Sequence, residues 1–241
     1  MDAQPCRRGR PPRGRRIVTR PPPAAALLFD LDGTLMHTDP IHAAVFIDLF
    51  AARGRRIDMA FYLNHLHGRL NASIFAEFCP GEDARALSEA KEAAFRARVS
   101  ARMPSTPGIE ALLDRARTNG WGTAVVTNAP RANAEAMLAA IGLPDAFDTL
   151  VIGDECTAGK PDPAPYTAAM TRLGVPPAAC IAFEDSPSGL RSAAAAGAYA
   201  IGIRSSLDDA ALRAAGAALS LQDFDDPALP PVLARLSGGL S

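Results

Sequence analysis

The chain has 241 residues, 48% hydrophobic and 21% charged, with a net charge of −1. That is enough for one large domain or a core with a smaller insert, and it excludes a wholly disordered protein. No apolar run approaches the ~20 residues of a membrane span, and four scattered cysteines without a C-x-x-C pair argue against a disulfide framework or zinc site and suit a reducing cytoplasm.

Residues 1–23 read as a disordered Arg/Pro-rich leader. The first twenty carry Arg7, Arg8, Arg10, Arg13, Arg15, Arg16 and Arg20 against Asp2 alone, a local +6 that leaves −7 for the remainder by difference. No continuous apolar segment follows the arginines, so this is not a secretory signal. Clustered arginines bind phosphates, which raises a nucleic-acid reading. No stacking aromatic or folded nucleic-acid motif accompanies them, so a solvated leader, or translation from an upstream start codon, is the reading adopted here.

From Ala24 onward strands and helices alternate. "AAALLFD" is a short apolar run ending in acid, a buried parallel strand by length and flanks. "GWGTAVVTN", after the helix stop at Asn119–Gly120, is a second, and "DTLVIGDE", "ACIAFED", "GAYAIGI" and "AALSL" follow. Between them, helices start near Pro107 and Pro130 and stop at Gly142, Gly174 and Gly197. This order predicts an α/β fold, a doubly wound parallel sheet with helices on both faces. Residues 38–104 hold no convincing strand. "IHAAVFIDLFAAR" and "LNASIFAEF" read as amphipathic helices, and "EDARALSEAKEAAFRARVSARM" as a long charged one with Glu89 and Glu92 placed to pair with basic residues. Such a block is an all-helical insertion, a cap domain at 38–104 between core segments 24–37 and 105–241. Cys79 in a cap helix, Cys180 in a strand and Trp121 at a strand start read as core packing.

In open parallel sheets the ligand crevice lies beyond the carboxyl ends of the strands. The first strand ends in Asp30-Leu31-Asp32-Gly33-Thr34, the second in Thr127-Asn128 and the fourth in Glu184-Asp185, while Lys160 follows the third. A first strand lying between the second and fourth brings these groups into one pocket. Repulsion among Asp30, Glu184 and Asp185 calls for a hard divalent cation, and oxygen ligands favour Mg²⁺. Lys160 and the Thr127 hydroxyl can hold phosphate oxygens, so that a carboxylate can attack phosphorus and a second acid can protonate the leaving oxygen. Singly, Asp32 could instead cap a turn, Thr127 and Asn128 a helix, and Lys160 be a solvated loop lysine; together they make a site.

"FDLDGTL", "VVTNAP", "GKPDP" and "FEDSPSGLRSAAAAG", in that order, closely resemble the haloacid dehalogenase (HAD) superfamily over about residues 25–222. The helical insertion resembles the cap of its β-phosphoglucomutase and phosphoglycolate phosphatase group. The resemblance implies a Rossmann-like core, with Asp30 as nucleophile and Asp32 as general acid/base. It implies Mg²⁺ held by Asp30, the Asp32 carbonyl and Asp185, with Glu184 a fourth contact. Thr127 and Asn128 would bind phosphate, and Lys160 would neutralise charge. A dehalogenase lacks the second aspartate, so Asp32 points to phosphate chemistry.

Cap residues His42, His67, Arg69 and Asn71 are candidates for substrate contact. Mutases of the group carry K-G-x-S-R, whose Lys and Arg grip the second phosphate. This chain reads "LHGRLNAS", with His67 and Asn71 at those two places, and asparagine cannot act as a cationic clamp. The expectation is a cytoplasmic Mg²⁺-dependent phosphatase of a small phosphate ester, a sugar phosphate or phosphoglycolate, acting as a monomer or dimer without membrane or nucleic-acid partners. A hexose-phosphate mutase is the alternative. His37, after the Gly-Thr-Leu-Met step, is expected to point outward.

Overall fold

The structure, a computed structural model, describes residues 23–67, 69–99 and 102–237. The leader expected at the N-terminus therefore lies, but for Pro23, outside the described residues. Strand β1 (Ala26–Phe29) is followed by four helices, α1 (Asp39–Ala51), α2 (Met59–His65), α3 (Asn71–Phe78) and α4 (Ala84–Arg98). Then come α5 (Ile109–Asn119), β2 (Gly122–Thr127), α6 (Arg131–Ala140), β3 (Thr149–Ile152), α7 (Ala164–Leu173) and β4 (Cys180–Glu184). The chain continues through α8 (Pro187–Ala195), β5 (Tyr199–Ile203), α9 (Asp209–Ala214), β6 (Leu219–Leu221) and α10 (Leu229–Ser237).

Among the described residues, six strands form one parallel sheet in the order β3-β2-β1-β4-β5-β6. Strand β1 thus lies between β2 and β4, with Phe29 opposite both Val125 and Phe183. Alternate residues feed two apolar layers. Leu27, Phe29, Val125, Phe183 and Ile201 face one way, and Ala26, Leu28, Ala124, Val126 and Ala182 the other. Phe29 and Phe183 stack with ring centroids 5.1 Å apart. Each is wholly buried, a contribution of about 1.5–3 kcal/mol per side chain. Small alanines on the second layer let α7 and α8 sit close against the sheet.

The helices α1–α4 gather around a core of their own, built from Ala43, Phe46, Phe50, Tyr62, Ile74 and Phe75. Asp58 and Asp83 cap α2 and α4 by accepting backbone N–H groups. Helix α4 is shorter than its sequence suggests: it ends at Arg98, where Val99 turns to extended backbone. Two helix starts also differ from expectation. Gly108, in the left-handed region at φ 82°, caps α5, and Pro107 lies ahead of it. Pro130 is the extended residue before α6 and not part of its first turn. The stops at Gly120 and Gly174 are left-handed C-caps as their residue type implies.

Candidate active site

Asp30 directly follows β1, and its backbone N–H still donates to Phe183 O at 2.9 Å, continuing the ladder to β4. The chain then folds back tightly. The N–H groups of Leu35 and Met36 both donate to Leu31 O, and that of Gly33 to Met36 O. Gly33 has φ 79°, and a Cβ there would come within 1.9 Å of Asp185 Oδ2. Only glycine allows both the left-handed turn and the approach of the Asp185 carboxylate.

Lys160 lies at the centre. Its Nζ donates to Asp30 Oδ1 at 2.6 Å, Glu184 Oε1 at 2.5 Å and Val126 O at 2.6 Å. Those three bonds use every hydrogen of the ammonium. Beside Asp30 it stands as a fixed positive charge. Asn128 holds the backbone on either side of that lysine. Its side-chain oxygen accepts from Lys160 N at 3.0 Å and its amide donates one hydrogen to Lys160 O at 3.1 Å. Gly153 and Gly159 leave room for that amide, since a Cβ at either would sit 2.2 or 2.9 Å from Asn128 Oδ1. The buried Thr127 hydroxyl accepts from Ala129 N at 3.0 Å and keeps its own hydrogen to give.

Glu184 is wholly buried at the end of β4. Its Oε1 also accepts from Tyr166 OH at 2.6 Å, and Oε2 from Ser186 OH at 3.3 Å. Asp185 accepts from Ser205 OH at 2.8 Å. One oxygen from each of Asp30, Glu184 and Asp185 lies within 4.8 Å of the others. Two of these three carboxylates bond the one ammonium, and the excess of negative charge shows in the acidities of Asp30 and Asp185. Burial, only partly opposed by Lys160, pushes Asp30 up to about 8, with Glu184 and Asp32 adding to the rise. Burial and the charges of Asp30 and Glu184 push Asp185 well above the carboxylate range. This donor set fits a hard divalent cation such as Mg²⁺, whose charge would hold the carboxylates ionised.

Asp32 sits apart from that cluster. Its Oδ1 is 3.2 Å from His42 Nε2, and His42 Nδ1 is 3.0 Å from Lys91 Nζ. Burial raises Asp32, yet the hydrogen bond and charge of His42, the Thr38 hydroxyl and the Lys91 charge outweigh it, holding Asp32 below its ordinary value. Without a bound cation Asp30 and Asp32 are therefore driven in opposite directions.

All four cap candidates line one cavity of about 830 Å³ together with Asp30, Asp32, Thr127, Asn128, Lys160 and Asp185. Each is already engaged. His67 Nε2 meets Asp39 Oδ1 at 3.3 Å, Arg69 donates to Glu77 Oε2 at 2.7 Å, and Asn71 donates to Glu92 Oε1 at 2.6 Å. His37 is exposed, as expected, and Trp121 is buried in the core. The sequence reading missed Lys91, Glu92, Arg96 and Asn133, which line the same cavity, and Tyr166 beneath Glu184. Glu89 does pair with Arg85 on the surface, but Glu92 turns inward to Lys91, Asn71 and Asn133. A signal for Lys91 existed: it falls between Leu87 and Phe95 on the buried stripe of α4.

A parallel sheet whose central strand ends in a buried, lysine-held aspartate, with an acidic pair on the neighbouring strand, is the framework of a HAD-type α/β hydrolase. The haloacid dehalogenase-like hydrolase family model matches residues 24–197. The chain belongs to that family, and it is a hydrolase. It is 37% identical over 185 residues to Protein CbbY of Rhodobacter capsulatus, covering 71% of this chain and 82% of the relative. It is 32% identical over 207 residues to the Phosphorylated carbohydrates phosphatase of Thermotoga maritima, covering 80% and 91% respectively. The crystal structure of CbbY from Rhodobacter sphaeroides in complex with phosphate superposes with a TM-score of 0.71 at 31% identity, covering 83% of this chain and 95% of that one.

Proposed function

We propose that this hydrolase is a Mg²⁺-dependent phosphatase that cleaves a small phosphorylated metabolite, a sugar phosphate or phosphoglycolate, through an aspartyl-phosphate intermediate. The observation that carries the reading is Asp30, fixed 2.6 Å from a buried ammonium and within 4.8 Å of Glu184 and Asp185, at the strand end where ligands bind. The phosphorylated-carbohydrate phosphatase among the relatives and the phosphate bound in the CbbY crystal point the same way.

Mg²⁺ held by Asp30, Asp185 and the Asp32 carbonyl, with Glu184 as a further contact, supplies positive charge that offsets the buried carboxylates and the charge developing on phosphoryl oxygens. Lys160 fixes the rotamer of Asp30 through Oδ1. The Asp30 carboxylate forms a bond to phosphorus as the bond from phosphorus to the ester oxygen breaks, and the minor protonated form of Asp32 gives its proton to the departing oxygen. Asp32, now ionised, takes a proton from the water that attacks the aspartyl phosphate. Inorganic phosphate leaves and the Asp30 carboxylate is restored. Thr127 donates its hydroxyl hydrogen to the phosphoryl group.

The insertion at 38–104 acts as a cap that excludes bulk water and selects the substrate. A mutase reading has less support, because Asn71, standing at the place of the mutases' arginine, spends its amide on Glu92. Among the described residues no helix is long and apolar enough to cross a membrane, and Cys79, Cys156 and Cys180 are free thiols. The test is hydrolysis of a panel of phosphorylated metabolites with Mg²⁺, comparing wild type with Asp30→Asn. The variant keeps its fold and loses about 10³-fold or more in kcat. Wild-type turnover of p-nitrophenyl phosphate by the variant removes Asp30 as nucleophile. A sugar bisphosphate that accelerates hexose-phosphate isomerisation would establish the mutase instead.

A further inference from the structure

Six cationic or basic side chains line the cavity: His42, His67, Arg69, Lys91, Arg96 and Lys160. Five of them meet a carboxylate within 3.3 Å: His42 on Asp32, His67 on Asp39, Arg69 on Glu77, Lys91 on Glu92, and Lys160 on Asp30 and Glu184. Arg96 differs. Among the described residues its guanidinium bonds only a neutral amide, donating from Nη1 to Asn133 Oδ1 at 2.7 Å. The carboxylate one turn back on α4, Glu92, is already occupied. Its Oε1 accepts from Asn71 and Lys91, and its Oε2 from Asn133 at 2.5 Å.

Asn133 thus stands between Glu92 and Arg96. It satisfies the acid with its amide hydrogens and orients the base with its carbonyl, and it is almost wholly buried itself. Arg96 is partly buried, so its charge is incompletely screened by water. One donor of the five in the guanidinium fork is used, and the rest are available to a planar or tetrahedral oxyanion. A pocket that neutralises every other cation and leaves one poised is built to receive an anion there.

From this geometry we infer that Arg96, oriented by Asn133, receives a second anionic group on the substrate, a carboxylate or another phosphate, remote from the ester that is cleaved. The inference rests on the phosphatase reading above and narrows its substrate class to phosphate esters that carry a second anionic end.

The test is equilibrium binding by calorimetry, with Mg²⁺, in the Asp30→Asn background, so that it does not depend on turnover. The probes are phosphoglycolate, which adds a carboxylate, a hexose bisphosphate, which adds a phosphate, and glycerol phosphate, which adds neither. Arg96→Ala lowers the preference for a doubly anionic probe over glycerol phosphate by about 10- to 100-fold. Arg96→Gln, which keeps a donor for Asn133 but no charge, does the same, while Arg96→Lys retains part of the preference. Loss confined to phosphoglycolate assigns a carboxylate, loss confined to the bisphosphate assigns a phosphate, and loss in both assigns a general anion site. If no variant changes the ratio for either probe, the inference is overturned. Failure of the wild type to hydrolyse any monoester, with the binding ratio still dependent on Arg96, would instead overturn the phosphatase reading alone.

Discussion

His42 Nε2 lies 3.2 Å from Asp32 Oδ1 although ten residues separate them, and the opposite ring nitrogen faces Lys91. A lysine ammonium can only donate, so Nδ1 accepts and Nε2 carries the hydrogen that Asp32 receives. Lys91→Ala removes a positive charge that favours ionised Asp32 and releases the ring from its orientation. Asp32 then holds its proton to higher pH, and the limb of the pH–rate profile that belongs to it moves up. Lys91→Arg restores part of the shift. An unmoved profile in Lys91→Ala would separate Lys91 from the proton-transfer chemistry.

Tyr166 is completely buried and supports Glu184, which in turn supports Lys160. Tyr166→Phe removes a hydrogen bond to a charged group and costs about 1.5–3 kcal/mol of stability. Urea unfolding measures it. A loss below about 0.5 kcal/mol, the range of ordinary surface changes, would mean that water or a rearranged Ser186 replaces the phenol.

Gly33→Ala introduces a Cβ where Asp185 now lies, in a left-handed backbone conformation. Asp185 must move, and activity falls about 100-fold or more through misplacement of the acidic cluster. Gly54 supplies the control. It has φ 72°, and a Cβ added there would meet nothing within 4 Å, so Gly54→Ala carries only the backbone cost of about 1–2 kcal/mol and keeps its activity. Equal effects of the two substitutions on turnover would show that backbone strain, not the approach of Asp185, is what Gly33 relieves.

Asp30 rises from 3.8 to about 8 on folding without metal, and Asp185 moves the same way. Between about pH 4 and pH 8 the folded state therefore binds more protons than the unfolded one. The stability that this proton binding contributes is present at the acid end and is lost as pH rises through that window. In EDTA, the thermal midpoint carries this downward contribution on going from pH 5 to pH 8, and Asp30→Asn removes part of it. Mg²⁺ binds the ionised cluster, so it raises the midpoint more at pH 8 than at pH 5. A Mg²⁺ effect that is absent, or equal at both pH values, argues against a metal site at these carboxylates.

The sheet was readable because each strand is a short apolar run that ends in chemistry: Phe29 before Asp30, Val126 before Thr127, Phe183 before Glu184. Strand order followed from the need to join those ends, and β1 does lie between β2 and β4. The far wall of the cavity was not readable in the same way. Lys91, Glu92 and Arg96 belong to a helix whose alternating charges look like a solvated face, and only the Leu87–Phe95 stripe shows which face is buried. Asn133 has no local mark at all, since its partners lie 37 and 41 residues away on α4. The same limit applies to Asn128: its residue type fits a phosphate binder, and only the fold shows its amide closing on Lys160.

That double grip has an evolutionary corollary. Because the end of β2 holds the lysine by its own peptide, the ammonium does not depend on the exposed or half-exposed run 156–158 for its position. The run can drift in composition, or lengthen, while the charge beside Asp30 stays where it is. Positional memory resides in the strand, and the loop is left free to vary.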